Sequence, residues 1–290
     1  MIDAEKQTRR CFGEEVMSRA LAVFHARFGR ATVYQLNRPF NVHAHREGHL
    51  IFHVGGTPAD IDVCDQRYQI GENWIVAVNP WEPHNFLPND VDNGAIFFVL
   101  YVNAEWFAPP AARDQTLRFG RTCFRRTATL DRCIRRTAAL VCGAPSLGCL
   151  DGELRQLIDS CYEESWRVPE LMPERPCAEV TDFRVRKSIK LMSDSPCAEI
   201  ELDHIAKESG LSRPHFYRLF RSQTGVTPNL YLNTLLMERA LDALVATESP
   251  IADIGFDLGF SSQSGFTRFF AGNVGMAPTD YRRAAKVLRA

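Results

Sequence analysis

The sequence predicts a multidomain α+β chain, an N-terminal antiparallel β-barrel with helices followed by an all-α C-terminal half. Three observations carry this. Between roughly residues 30 and 105, short runs rich in Val, Ile, Phe and Tyr are punctuated by Gly, Pro, Asn and Asp. After Pro110 the apolar residues recur every three or four positions instead. Near the C-terminus one seventeen-residue pattern occurs twice, fifty residues apart.

Length and composition bound the function. At 290 residues the chain fits two domains better than one. It is 45% hydrophobic and 24% charged, an ordinary globular balance. The net charge of −1 excludes a uniformly basic nucleic-acid coat, but charge is unevenly placed. From Val180 onward there are 14 Lys and Arg against 12 Asp and Glu, so the C-terminal third is slightly basic. Nine cysteines without a CxxC pair argue against a disulfide framework or zinc knuckle and fit a reducing compartment. The polar start MIDAEKQTRR has no signal-peptide core, and no apolar run is long enough for a membrane span. The expectation is a cytoplasmic protein with no membrane partner.

Taken in order, the expected strands are ATVYQL, HLIFHVGG, IDVC, RYQIG, NWIVAVNP and AIFFVLYV. Strands so short and evenly spaced suggest a small antiparallel barrel or jelly roll. Leu130, Ile134, Ala138 and Val141 then mark one helix face, and Leu154, Leu157, Ile158 and Cys161 a second. That second stripe suits either a partner helix in a homodimer or the chain's own barrel. The prolines of RVPELMPERPCAE break any helix there and place a linker at 168–181. The domains are expected at 1–167 and 182–290.

The repeat pairs HFYRLFRSQTGVTPNLY (215–231) with GFTRFFAGNVGMAPTDY (265–281), identical at Phe216/Phe266, Arg218/Arg268, Phe220/Phe270, Gly225/Gly275, Pro228/Pro278 and Tyr231/Tyr281. Upstream of the first copy, Ile200, Ile205 and Ala206 read as one helix ended by Gly210, with Ser212 as the next N-cap. Upstream of the second, PIADIGFDLGF reads the same way, ending at Gly259. Each copy is therefore a helix-turn-helix, whose second helix can enter a DNA major groove. In the first, Phe216, Leu219 and Phe220 face inward, leaving His215, Tyr217, Arg218 and Arg221 outside. In the second, Phe266, Phe269 and Phe270 face inward, leaving Gln263, Ser264, Thr267 and Arg268 outside. Gln and Arg suit base edges, and Ser and Thr suit phosphates or edges. The Leu- and Ala-rich run at 229–246 would be a spacer of ~27 Å, against ~34 Å between successive groove faces. Double-stranded DNA is the expected partner.

Residues 183–283 resemble the double helix-turn-helix domain of AraC/XylS-type transcriptional regulators, most closely in GFDLGFSSQSGFTRFFAGNVGMAPTDYRR. The resemblance implies a regulator, often an activator that also touches RNA polymerase. It also implies that Pro214, His215, Tyr217, Arg218, Gln263, Ser264, Thr267 and Arg268 face DNA. This chain departs from the family at Gly255, where Ala is usual, at Gly265, and at Leu236, where Arg is common. Gly inside a helix costs up to ~1 kcal/mol against Ala.

Five of the eight histidines are His43, His45, His49, His53 and His84, four of them within HAHREGHLIFHVGG. On strands, His43 and His45 share a face, as do His49 and His53. This resembles the cupin barrel, the usual sensor of such regulators, with His49 in place of the cupin Glu, then Gly56 and a later His84. The four histidines His43, His45, His49 and His84 could hold a divalent transition metal (Zn, Fe, Ni or Cu), contact a small-molecule effector, or bond each other. Trp74, Trp81, Phe86 and Phe97 are candidate pocket walls or plain core. A metal cupin would also suit a dioxygenase or isomerase with an accessory helical half. Against that enzyme stands the missing carboxylate. Cys123 and Cys133, beside arginines, are the candidates for a redox sensor.

Overall fold

The computed structural model describes residues 18–107, 118–143, 147–167, 180–194 and 197–287. Most of the expected Pro-rich linker lies outside these. In chain order the elements are β1 (Arg19–Ala26), β2 (Gly29–Leu36), β3 (Gly48–Gly56), β4 (Ala59–Val63), β5 (Gln66–Ile70), β6 (Trp74–Val78), β7 (His84–Pro88), β8 (Ala95–Val102), α1 (Ala104–Phe107), β9 (Cys123–Arg125), α2 (Ala128–Cys142) and α3 (Leu147–Trp166). The helical half follows as α4 (Phe183–Asp194), α5 (Leu202–Glu208), α6 (Arg213–Thr224), α7 (Pro228–Ala246), α8 (Ile251–Asp257), α9 (Gln263–Val274) and α10 (Pro278–Ala284), closed by a short β10 (Ala285–Val287). The chain is thus mixed α+β. The six expected strands are present, and β1, β7, β9 and β10 add to them. β7 begins just after Pro83 and ends on Pro88, residues that weaken a strand signal, and the alanines of β1 disguise it.

The strands form a seven-stranded sheet, in the order β10-β1-β2-β8-β3-β6-β9, and a three-stranded sheet, β5-β4-β7. Alternation along the strands decides which core each side chain joins. Ile51, Phe97 and Val99 point between the sheets, where they meet Ile61 and Phe86. Their neighbours Leu50, Phe52, Phe98 and Leu100 point the other way, onto Leu130, Ile134 and Val141 of α2 and Leu154, Leu157 and Ile158 of α3. The α3 stripe, with Cys161, is fully buried against its own sheet. The partner-helix reading of that stripe is therefore corrected: its apolar face is already covered, and a homodimer would need another surface.

The two helix-turn-helix units, α5–α6 and α8–α9, are joined by the 19-residue α7. α7 starts on Pro228 with the Thr227 hydroxyl accepting from the Leu230 N–H. Gly210 and Gly259 end the first helix of each unit at φ +71° and +80°. Ser212 and Ser262 are the N-caps of α6 and α9, and the Ser262 hydroxyl accepts from the Gly265 N–H. Phe216, Phe220, Phe266 and Phe270 are fully buried, whereas Leu219 and Phe269 are only half-buried. Ile200 lies just before α5 rather than within it.

The helical half docks on the strands through the segment that precedes β3. Phe40 packs on Gly275, and the Asn41 N–H donates to the Gly272 carbonyl at 2.7 Å. The Thr234 hydroxyl donates to the Ala44 carbonyl at 3.2 Å, and Arg46 pairs with Glu238 at 3.4 Å. Beside this segment Trp81 and Tyr231 stack with centroids 4.4 Å apart and planes 6° from parallel, worth ~0.5–1.5 kcal/mol beyond the area they bury. Tyr281 is wholly buried with its hydroxyl 2.8 Å from His25 Nε2 and 3.5 Å from Arg30 Nη1. β10 then pairs in parallel with β1, Val23 opposite Ala285 and His25 opposite Val287.

Gly255 has a packing reason to be Gly. A Cβ there would lie 2.9 Å from Phe266 Cβ and 3.2 Å from Phe266 Cγ, atoms too near the backbone to swing aside. Gly255→Ala would gain up to ~1 kcal/mol of helix propensity against ~1–3 kcal/mol of overpacking. We expect a net destabilisation of about 1 kcal/mol, read as a lower midpoint in thermal unfolding. An unchanged or raised midpoint would mean that α8 and α9 part freely.

Candidate functional site

Two sets of residues stand out, one on the helical half and one inside the strands. On α6, Pro214, Arg218 and Arg221 are exposed and His215 and Tyr217 half-buried. Arg213 pairs with Asp203 at 3.1 Å, and the Tyr217 hydroxyl donates to Asn229 Oδ1 at 3.2 Å, tying α6 to α5 and α7. On α9, Gln263, Ser264 and Arg268 are exposed and Thr267 half-buried. The candidate reading residues thus lie on the outer faces of both second helices. The docking contacts fall instead on α7, the C-terminal end of α9, α10 and β10, so docking leaves both outer faces uncovered.

Within the strands, the histidines converge. His43 and His84 form an antiparallel bridge, each N–H donating to the other's carbonyl at 2.9 Å. Their rings are 4.2 Å apart, the His45 ring lies 5.0 Å from His43, and the His49 ring lies 4.6 Å from His84. One ring nitrogen from each of His43, His45 and His84 falls within 4.8 Å of the others. His49 stands just behind, stacked on Tyr101. His53 takes no part; its Nε2 lies 3.1 Å from the Thr57 carbonyl. A cavity of about 50 Å³ opens beside the cluster, lined by His43, His49 and His84 and by apolar residues including Ile61, Phe86 and Phe97.

The tryptophans do not line it. Trp74, 46% exposed, lies at the start of β6 beside β9. Trp81 is spent on Tyr231 at the docking surface. As sequence candidates for a pocket wall both are corrected, because aromatic identity alone does not reveal which side of a strand or turn a residue faces. Cys123 is no reactive thiol, since burial pushes it up to about 11.

The sequence comparisons identify the helical half. The helix-turn-helix domain family matches residues 205–284. Regulatory protein SoxS of Salmonella typhimurium is 39% identical over 83 residues, which span 29% of this chain and 78% of SoxS. The transcriptional activator RhaS of Escherichia coli is 31% identical over 100 residues, 34% of this chain and 36% of RhaS. The chain belongs to the AraC/XylS-type regulators. The fold of ToxT from Vibrio cholerae extends the likeness beyond the helical half, at a TM-score of 0.57 and 15% identity over 88% of this chain and 96% of ToxT. This AraC/XylS-type protein is therefore a DNA-binding transcriptional regulator, and the enzyme reading falls away. Among the described residues, no helix is long and apolar enough to cross a membrane.

In this AraC/XylS-type regulator the strands carry residues that sequence reasoning passed over. Arg30 is buried with its guanidinium 3.7 Å above the Tyr101 ring and its Nε unpaired. Nothing local in the sequence marks it, since its partners Tyr101 and Tyr281 are 71 and 251 residues away. Burial pushes His43 down to about 4, against the Asn41 carbonyl that accepts from its Nδ1, and Arg30 lowers it further. Burial and then the neighbouring imidazoles hold His45, His49 and His84 well below their ordinary value. Burial takes His25 to about 3. All five rings are therefore neutral at pH 7.

These shifts give stability a pH dependence. The folded pKa values lie below those of the unfolded chain, so the unfolded state binds protons first as pH falls. Stability is full above ~6.5, each ring held neutral costs roughly 2 kcal/mol at pH 5, and the loss continues towards the folded value of about 4 for His43. Glu238, which burial raises to about 7, works in the opposite direction, as do Asp242 and Asp159, which burial also raises, but these three are fewer than the five rings. Thermal unfolding should have a midpoint that is flat from pH 7 to 8 and drops steeply between 6.5 and 4.5. A flat midpoint across that lower window would contradict the burial of the cluster.

Proposed function

We propose that α6 and α9 read two adjacent major-groove faces of one DNA duplex, with His215, Tyr217, Arg218 and Arg221 on the first helix and Gln263, Ser264, Thr267 and Arg268 on the second. Pro214 opens the first helix and contributes shape rather than a side-chain donor. The observation that carries the reading is the pair of equivalent, exposed, arginine-bearing faces joined by one continuous helix. At 19 residues α7 is about 28 Å long, close to the ~34 Å between successive groove faces. Residues 182–290 then form the DNA-binding domain, 1–167 the sensor and 168–181 the linker. We read the two sheets as the halves of a cupin-like jelly roll. The protein works in the cytoplasm, and as an activator it would also touch RNA polymerase.

The histidine-lined cavity is read as the seat of a small-molecule effector. A ToxT structure with an unsaturated fatty acid bound, at a TM-score of 0.55 and 16% identity, has the same fold and supports a sensor role for the strand half. Coupling would pass through the segment at 40–46. His43 lines the cavity with the His45 ring beside it, while Phe40, Asn41, Ala44 and Arg46 hold Gly275, Gly272, Thr234 and Glu238. An effector that favours one placement of this segment shifts the population of docked and released halves, and with it the angle between the reading helices.

Arg268→Ala should weaken specific binding by ~1–3 kcal/mol, about 5- to 150-fold, in fluorescence anisotropy on a fragment of the regulated promoter. Affinity for that fragment should also fall steeply with added salt, because phosphate contacts release counterions. Unchanged affinity in the variant would remove α9 from the interface.

A further inference from the structure

We infer that His43, His45 and His84 form a binding site for one divalent transition metal ion. The inference rests on reading the strand half as the sensor, and it names the chemical class of what that sensor takes.

The donor chemistry fits. His43 Nδ1 lies 2.8 Å from the Asn41 carbonyl and His84 Nδ1 lies 2.8 Å from the Glu82 carbonyl. A carbonyl only accepts, so each Nδ1 carries the proton and each Nε2 keeps a lone pair. Metal-bound histidines are held in this way, one ring nitrogen donating to a backbone carbonyl and the other left for the ion. His45 Nε2 is buried with no hydrogen-bond partner. A buried ring nitrogen without a partner costs stability, and a metal ion would satisfy it. The backbone bridge between His43 and His84 fixes two of the three ligands relative to each other.

Geometry and charge narrow the class. Ligand nitrogens on a tetrahedral zinc are ~3.4 Å apart, so nitrogens now within 4.8 Å need only small side-chain rotations to close on an ion. Three neutral imidazoles suit zinc, copper, nickel or iron, and the absence of carboxylates among them disfavours calcium and magnesium. Imidazoles leave the ion's charge uncompensated, and the buried Arg30 adds to it. A fourth, external ligand should therefore be an anion. The cavity of about 50 Å³ beside His43 and His84 has room for one of water size.

The test uses the full-length protein, stripped with chelator and then dialysed against zinc. We expect one zinc per chain, and on loading with cobalt(II) instead, the intense visible bands of tetrahedral coordination. His43→Ala and His84→Ala should each lower zinc affinity at least 100-fold, while His53→Gln, at a buried histidine outside the cluster, should retain it. If an alanine variant fails to fold, copper(II) loaded into the unaltered protein decides the matter, because nitrogen hyperfine structure in its electron paramagnetic resonance spectrum reports bound imidazoles. Substoichiometric zinc in the unaltered protein, undiminished zinc in folded His43→Ala and His84→Ala, or a copper spectrum without nitrogen coupling would overturn the site. Promoter binding measured on the same stripped protein keeps the two readings apart. Intact DNA binding without metal uptake would sink the metal site alone, whereas its loss in both stripped and loaded protein would sink the DNA reading.

Discussion

Everything in this regulator depends on one buried seam between its halves. Tyr281, Trp81 against Tyr231, and Phe40 on Gly275 make the apolar interior continuous from the strands into the helices. The seam is also polar where it must be. The Tyr281 hydroxyl meets His25 and Arg30, and the Thr234 hydroxyl meets the Ala44 carbonyl. Buried polar atoms left unpaired are costly, so these pairings specify one docked arrangement where apolar packing alone would tolerate several. The seam contacts α7 and the second helix-turn-helix and leaves α6 to follow. That asymmetry makes the second unit the one whose placement the strand half sets directly.

The sequence made some of this legible. Leu130, Ile134, Ala138 and Val141 lie on one buried face because helical period and burial impose the same constraint, and local spacing reveals it. The two helix-turn-helix units were legible for the same reason, reinforced by duplication. Long-range pairings left no local trace. Phe40 and Gly275 are 235 residues apart, and nothing local at either position points to the other. The joining of His43 to His84 was suggested by resemblance to a barrel rather than by spacing, since Pro83 and Pro88 weaken the signal of the pairing strand β7. The α3 stripe was legible as apolar but not as occupied, because periodicity reveals a face and not what covers it.

Local departures from the family pattern have local explanations. At Gly255 the helices α8 and α9 approach so closely that the Phe266 ring root takes the place of a side chain. The Gly thus gives up helix propensity for contact, and the first turn of the second unit is positioned by an aromatic ring rather than by a methyl group. In the first unit Tyr217 spans to Asn229 and Arg213 to Asp203. One unit is thus tied by surface hydrogen bonds and the other by an interior approach.

The three residues of β10 lie along β1, which would otherwise be the open margin of a six-stranded sheet. An uncovered margin presents a row of unsatisfied N–H and C=O groups that invites pairing with other chains. Were the helical half to swing away, that cover would go with it and the stretch of β1 from Val23 to His25 would be bared. Safe storage of the sheet is thus built into the same few residues that end the DNA-reading half.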